Sequence, residues 1–206
     1  MIAVVDYGMG NLKSLEGGLK KVGCDVLITR DPAKIKESQG LVLPGVGSFR
    51  DCMINLKESK LIQPIFDFIA SGRPFLGICL GMQILFSESE EFGKFKGLGI
   101  IKGRVVCFPY QKEMKIPHMG WNTVKIKKAC PLLKNIPGES YFYFVHSYYV
   151  VPEDRDVIAT TTYYGIEFTS GIWKDNIFAC QFHPEKSQKL GLKILRKFGG
   201  LTKNVS

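Results

Sequence analysis

Pro74-Phe75-Leu76-Gly77-Ile78-Cys79-Leu80-Gly81-Met82-Gln83-Ile84-Leu85-Phe86-Ser87 is the stretch that decides how this chain folds. Residues 74–78 read as a buried strand, and the apolar run from Leu80 to Ser87 reads as a helix that follows without a linker. At the junction, Gly77-Ile78-Cys79-Leu80-Gly81 has the form glycine, any residue, nucleophile, any residue, glycine. Such an elbow holds its central residue in a strained strand-to-helix turn, and the two glycines remove side chains that would collide there.

Upstream, short apolar strands alternate with helical stretches. Ile2 to Val5 reads as a strand, Asn11 to Lys21 as a helix with an asparagine cap, Val26 to Thr29 as a strand, Asp31 to Ile35 as a short helix, and Gly40 to Leu43 as a strand. Leu61 to Ala70 carries apolar residues at helical spacing and stops at Gly72. This βαβαβ pattern predicts a mostly parallel sheet covered on both faces. Downstream, strand-like runs at Arg104 to Phe108, Asn122 to Ile126, Tyr141 to Val145, Val157 to Tyr163 and Ile177 to Phe182 are closely spaced and read as antiparallel. A last helix from Ser187 through Phe198 stops at Gly199-Gly200. The fold class is therefore α/β: a three-layer, doubly wound mixed sheet, parallel in the N-terminal half, with antiparallel strands added in the second half. No linker or low-complexity segment divides residues 1–206, so one domain is expected.

Composition narrows the function classes. With 45% hydrophobic and 23% charged residues the chain is an ordinary globular protein. Its most apolar window, Phe75 to Phe86, is about half the length a bilayer span needs. Met1-Ile-Ala-Val-Val-Asp6 lacks the basic start and long apolar region of an export signal, which points to the cytoplasm and to no membrane association. The six cysteines are scattered and read as reduced thiols. No Cys-x-x-Cys or His-x-x-x-His pair occurs, so no metal site is expected. The net charge of +9 comes from lysines spread around the chain rather than interleaved with aromatics, so it reads first as a solvated basic surface, with no nucleic acid expected. Beside that stand attraction to a phosphorylated substrate, docking onto an acidic partner, and nucleic acid. Gly8-Met9-Gly10 and Gly45-Val46-Gly47 each follow a strand, but Lys13 and Arg50 occupy the third glycine position of a dinucleotide fingerprint.

Cys79 reads either as a nucleophile at the elbow or as one more buried thiol. At a first helical turn a thiolate is favoured by the positive end of the dipole and by unpaired amides, and the Leu80 amide lies beside any oxyanion formed there. A nucleophile needs a base, and the chain has three histidines, His118, His146 and His183. His183 follows a strand in Gln181-Phe182-His183-Pro184-Glu185. Pro184 biases His183 towards extended backbone, in which residues two apart project the same way, so Glu185 is placed to reach the imidazole. Cys79, His183 and Glu185 together make nucleophile, base and orienting carboxylate.

Gly77-Ile-Cys-Leu-Gly-Met-Gln83 with a late His183-Pro-Glu185 resembles the class I, or triad, glutamine amidotransferases. Within that class, Val5-Asp-Tyr-Gly-Met-Gly-Asn-Leu12, Leu43-Pro-Gly-Val-Gly-Ser-Phe49, Pro117-His-Met-Gly-Trp-Asn122 and Tyr143-Phe-Val-His-Ser147 look like the glutaminase subunits of imidazole glycerol phosphate synthases. The resemblance implies hydrolysis of glutamine, with ammonia passed to a cyclase of (β/α)8-barrel fold in a heterodimer. It implies no metal or organic cofactor. Carried over by position, it assigns thioester formation to Cys79, proton transfer to His183 and orientation to Glu185. Oxyanion amides would come from Leu80 and from the Val46-Gly47 segment. Gln83, Glu91, Ser147 and Tyr148 would bind glutamine, and Asn11, Trp121, Asn122 and Lys186 would face the cyclase. His118 and His146 read as structural or peripheral, and Ser48 as a packing change beside the oxyanion strand. Three rivals stand beside this: a sister subunit supplying ammonia to another synthase, such as one amidating a surface sugar; a scaffold that keeps the fold without the chemistry; and a peptidase or deglycase on the same elbow.

Overall fold

The structure, a computed structural model, describes residues 1–110, 112 and 114–203. The first half runs β1 (Ile2–Val5), α1 (Leu12–Lys21), β2 (Val26–Thr29), α2 (Pro32–Glu37), β3 (Gly40–Leu43), α3 (Phe49–Glu58), α4 (Ile62–Ala70), β4 (Phe75–Ile78) and α5 (Leu80–Gln83). The second half runs β5 (Phe86–Ser89), β6 (Phe95–Lys96), β7 (Ile101–Cys107), β8 (His118–Ile126), β9 (Ser140–His146), β10 (Tyr148–Pro152), β11 (Ile158–Tyr164), β12 (Ile166–Lys174), β13 (Ile177–Cys180) and α6 (Gln188–Thr202).

Strands pair in the order β2-β1-β3-β4-β13-β12-β10-β7-β5-β6, with β11 joining β12 to β8 and β8 carrying β9. Residues alternate between the two faces, as a pleated strand requires. Ala3, Val5, Leu41 and Leu43 pack with Ile35, Phe49, Leu56, Ile65 and Phe68 of α2, α3 and α4. Ile2, Val4, Val42 and Leu76 pack with Leu15, Leu19, Ile194, Leu195 and Phe198 of α1 and α6. The three-layer, doubly wound α/β arrangement is thus present. Its parallel part is β2, β1, β3, β4 and β13, and antiparallel pairing begins where β12 joins β13.

Several local expectations change. The helix expected over 80–87 stops at Gln83, and Phe86–Ser89 forms a strand parallel to β7 and antiparallel to β6. Ile84, Leu85 and Phe86 are all fully buried, so this run has no polar face by which period could separate helix from strand. Strand β13 was expected to be antiparallel, and it is antiparallel only to β12; with β4 it is parallel, with Cys180 opposite Ile78. The last helix continues through Gly199-Gly200 to Thr202. Gly199 lies there because a Cβ would fall 2.3 Å from the Cys24 sulfur. Helix α3 and strands β6, β10 and β12 were not foreseen. For α3 the signal was present: Ser48 accepts a hydrogen bond from the Asp51 amide, an N-cap that gives Ser48 a definite role beyond packing.

Candidate active site

Cys79 sits at the C-terminal end of β4 with φ 54° and ψ −112°, a left-handed conformation that a residue with a side chain rarely adopts. The turn is held because Met82 and Gln83 donate their amides to the Cys79 carbonyl. It is also walled in: a Cβ on Gly77 would meet the Gly81 carbonyl oxygen at 2.8 Å, and one on Gly45 would meet the Gly81 nitrogen at 2.7 Å. The Leu80 N–H is the first donor of α5, where no helical carbonyl precedes it. Since α5 is four residues long, the dipole expected of a longer helix reduces to these few amides.

The parallel pairing of β4 with β13 brings His183 to Cys79. Both strands leave the sheet at the same edge, Ile78 beside Cys180, so residues 181–183 emerge next to Cys79. His183 has φ −101° and ψ 97°, extended as expected before proline, but Pro184–Lys186 then coil into a single 3-10 turn. The turn, rather than an extended run, carries Glu185 to the ring, where His183 Nδ1 donates to Glu185 Oε1 at 2.7 Å. Ser187 locks it by donating to the His183 carbonyl at 2.6 Å while accepting from the Tyr143 amide at 3.0 Å. His183 Nε2 is buried and has no hydrogen-bond partner among the described residues, which leaves this nitrogen free to exchange a proton in the cleft it lines.

Burial works against the His183 imidazolium, but the Cys79 sulfur and the Glu185 carboxylate outweigh it and push its pKa up to about 10. A histidine that holds its proton more tightly folded than unfolded contributes fully below its ordinary value of 6.5, and the contribution fades as pH rises through about 10. Glu185→Gln should therefore flatten part of the fall in stability between those pH values and lower by roughly a hundredfold or more any turnover in which His183 moves a proton. Thermal unfolding across that range, with turnover measured alongside, checks both. A stability profile parallel to that of the parent chain would remove Glu185 from the pair.

A cleft of about 260 Å³ opens over the elbow. Cys79, Leu80 and His183 line it together with Val46 and Gly47, and so do Gln83, Glu91, Ser147 and Tyr148. The sequence-derived oxyanion and glutamine-binding residues thus share one cavity with Cys79 and His183. Glu185 stays behind the histidine. Gln83 donates to the Tyr148 carbonyl and to Gln181 Oε1, both at 2.9 Å. Glu91 accepts from the Phe49 amide at the start of α3, and burial raises its pKa. Outside the cleft, Asn11 is exposed and caps α1 by accepting from the Ser14 amide. Trp121 is 45% exposed. It lies edge-on to Tyr143, over which the Lys186 ammonium also sits, so these three form a continuous strip. Asn122 is half-buried beside it.

Sequence reasoning missed two residues. Gln181, fully buried, donates to the Cys79 sulfur at 3.5 Å and so links Gln83 to that sulfur. A polar residue where the strand pattern demands an apolar one was its only signal. Tyr7 donates to the Pro44 carbonyl at 2.7 Å and accepts from the Cys52 thiol, propping the Pro44–Gly47 segment from beneath.

Among the described residues no helix is long and apolar enough to cross a membrane, and no group of three or more His, Cys, Asp or Glu is arranged to hold a metal ion. The family model described as "Glutamine amidotransferase class-I" matches residues 3–199. The chain is similar to "Imidazole glycerol phosphate synthase subunit HisH" of Syntrophotalea carbinolica, 52% identical over 98% of this chain and 100% of that protein. The protein of the same name from Geobacter sulfurreducens is 52% identical over 96% of this chain and 97% of its own length. Among solved structures, a "glutamine amidotransferase" superposes with a TM-score of 0.76 over 98% of this chain and all of that one; at 16% identity this speaks for the fold alone. With a strained cysteine elbow, a histidine–carboxylate pair at the same sheet edge and relatives matched end to end, the chain belongs to the class I glutamine amidotransferases, in the family of imidazole glycerol phosphate synthase HisH subunits.

Proposed function

We propose that this chain hydrolyses glutamine to glutamate and ammonia through a Cys79 thioester and passes the ammonia to a cyclase that makes imidazole glycerol phosphate and AICAR in histidine biosynthesis. The cleft is the observation that carries the reading, because it gathers nucleophile, base, oxyanion segment and polar pocket in one cavity. The Cys79 thiolate attacks the side-chain amide carbon of glutamine, and the resulting oxyanion faces the amides of Leu80 and of the Val46-Gly47 segment. As the carbon–nitrogen bond breaks, His183 gives its proton to the departing nitrogen, and ammonia leaves. Water then adds to the thioester while His183 takes its proton, and glutamate departs with the sulfur restored. Gln83, Glu91, Ser147 and Tyr148 hold the amino-acid end of the substrate. The scheme is complete with these groups and calls on no metal or organic cofactor.

Free ammonia is mostly ammonium at neutral pH and is then no nucleophile, which favours delivery across a closed interface. The strip formed by exposed Trp121 and Lys186 with half-buried Tyr143, with Asn122 beside it and Asn11 at the edge of α1, is the face we assign to a (β/α)8-barrel cyclase in a cytoplasmic heterodimer. The names of the relatives favour this partner over a synthase that amidates a sugar. Glutaminase activity is expected to be slow in the isolated chain and to rise at least about tenfold with the cyclase and its substrate phosphoribulosylformimino-AICAR-phosphate, within the usual range of coupling between sites. A coupled assay measures this. Full activity in the isolated chain, indifferent to the partner, would identify a stand-alone glutaminase.

A further inference from the structure

Two histidines remain outside the chemistry above. His118 on β8 and His146 at the end of β9 face each other across the β8–β9 ladder, and both are buried. The His118 ring is stacked between Phe144, at 4.9 Å, and Tyr164, at 4.0 Å. His146 Nδ1 lies 2.8 Å from the Tyr148 carbonyl, and His146 Nε2 lies 2.9 Å from His118 Nδ1. His118 Nε2 in turn lies 3.1 Å from the Asn122 side-chain nitrogen. The orientation of Asn122 is fixed independently, since the same nitrogen donates to the Tyr163 carbonyl at 2.9 Å and its oxygen accepts from the Thr123 amide at 2.7 Å.

These contacts leave a single assignment of protons. A carbonyl can only accept, so His146 Nδ1 carries hydrogen. Burial depresses both imidazolium forms, His146 to about 3 and His118 to about 4, so each ring is neutral and has one N–H. His146 Nε2 must then accept from His118 Nδ1, and His118 Nε2 must accept from Asn122. Every donor points the same way, from β8 towards the Tyr148 carbonyl. That carbonyl also accepts the Gln83 amide, which continues through Gln181 to the Cys79 sulfur.

We infer that His118 and His146 are positioning residues of the glutamine pocket: with Asn122 they form a one-way hydrogen-bond chain that fixes the Tyr148 carbonyl, and through it the Gln83 amide, beside Cys79. The inference rests on reading the cleft as the glutamine site. Its consequence is that a movement of β8 at Asn122, next to the exposed Trp121, is felt at the substrate pocket without any change in the triad.

Two measurements test it. In the unaltered protein, nitrogen-15 spectra of the imidazoles should show both rings neutral and as Nδ1–H tautomers down to pH 5. An Nε2–H tautomer at either ring, or titration near 6.5, would break the chain. The second compares His146→Asn, which keeps an N–H near the Nδ1 position, with His146→Gln, which places its amide near Nε2 and leaves the Tyr148 carbonyl without that donor. His146→Gln should raise KM for glutamine by about tenfold, the scale of one lost hydrogen bond, with His146→Asn recovering most of it. Alkylation of Cys79 by iodoacetamide, which needs no glutamine pocket, should stay within about twofold in both variants. Equal KM in the two variants and the parent would overturn the proposal. If the parent chain does not hydrolyse glutamine at all, the functional reading fails instead, and the tautomers still decide whether the chain exists.

Discussion

Cys79→Ala is expected to hydrolyse glutamine at least roughly a thousandfold more slowly than the parent chain while keeping its fold, the scale associated with removing a covalent nucleophile. The fold should survive because the change deletes one sulfur from a 7% exposed side chain and leaves the turn as strained as before, alanine being no easier to hold at φ 54° than cysteine. Cys79→Gly would relieve that strain and should be more stable than Cys79→Ala by about 1–3 kcal/mol. Glutamate release and thermal unfolding of the three proteins separate the two effects. Undiminished hydrolysis in Cys79→Ala would move the chemistry to another group. No gain in Cys79→Gly would mean that the elbow stores no strain.

Gly81→Ala should be among the most damaging single-methyl changes, with a loss of about 3 kcal/mol or more and little soluble protein. A Cβ at this position would lie 1.9 Å from the Leu43 carbonyl oxygen, and the neighbouring atoms are backbone rather than flexible side-chain ends. Relief would require β3 and α5 to separate, and that would open the elbow. Gly17→Ala is the control. Gly17 lies in α1 with no atom within 4 Å of its added Cβ, so it should gain up to about 1 kcal/mol from the helical preference of alanine. Denaturant unfolding of both variants measures the contrast, and a Gly81→Ala protein as stable as the parent would refute the close approach.

The sequence was most legible where a residue type has a single physical use. Gly77 and Gly81 flanking Cys79 imply a crowded turn, and the crowding is there at Gly45, Gly77 and Gly81. Asn11 implies a helix start and caps as expected, while Asp31, read as the first residue of its helix, is instead the N-cap before Pro32. The pairing of His183 with Glu185 was legible too, although the route to it was not, since a 3-10 turn and an extended run both bring residues two apart within reach. Legibility failed where partners lie far along the chain. Phe86 becomes a strand because Ile101 pairs with it, and nothing local in the apolar run from Ile84 to Phe86 says so. Gln181 and His146 gain roles only from groups 102 and 28 residues away, Cys79 and His118. Long-range polar contacts of this kind leave no period in the sequence.

The placement of β13 between β4 and β12 also matters for how the molecule is made. The strand that joins the parallel half to the antiparallel half follows β1 to β12 in chain order, so it leaves the ribosome after them. Until it does, β4 carries an open edge on one side and β12 has an open edge on its own. The two halves can condense separately during translation, but the sheet becomes continuous only with the strand that also delivers His183 to Cys79. From the synthesis of β4 until β13 emerges, the nascent chain is therefore open to edge-to-edge aggregation, and Cys79 stays apart from His183 until the sheet is closed.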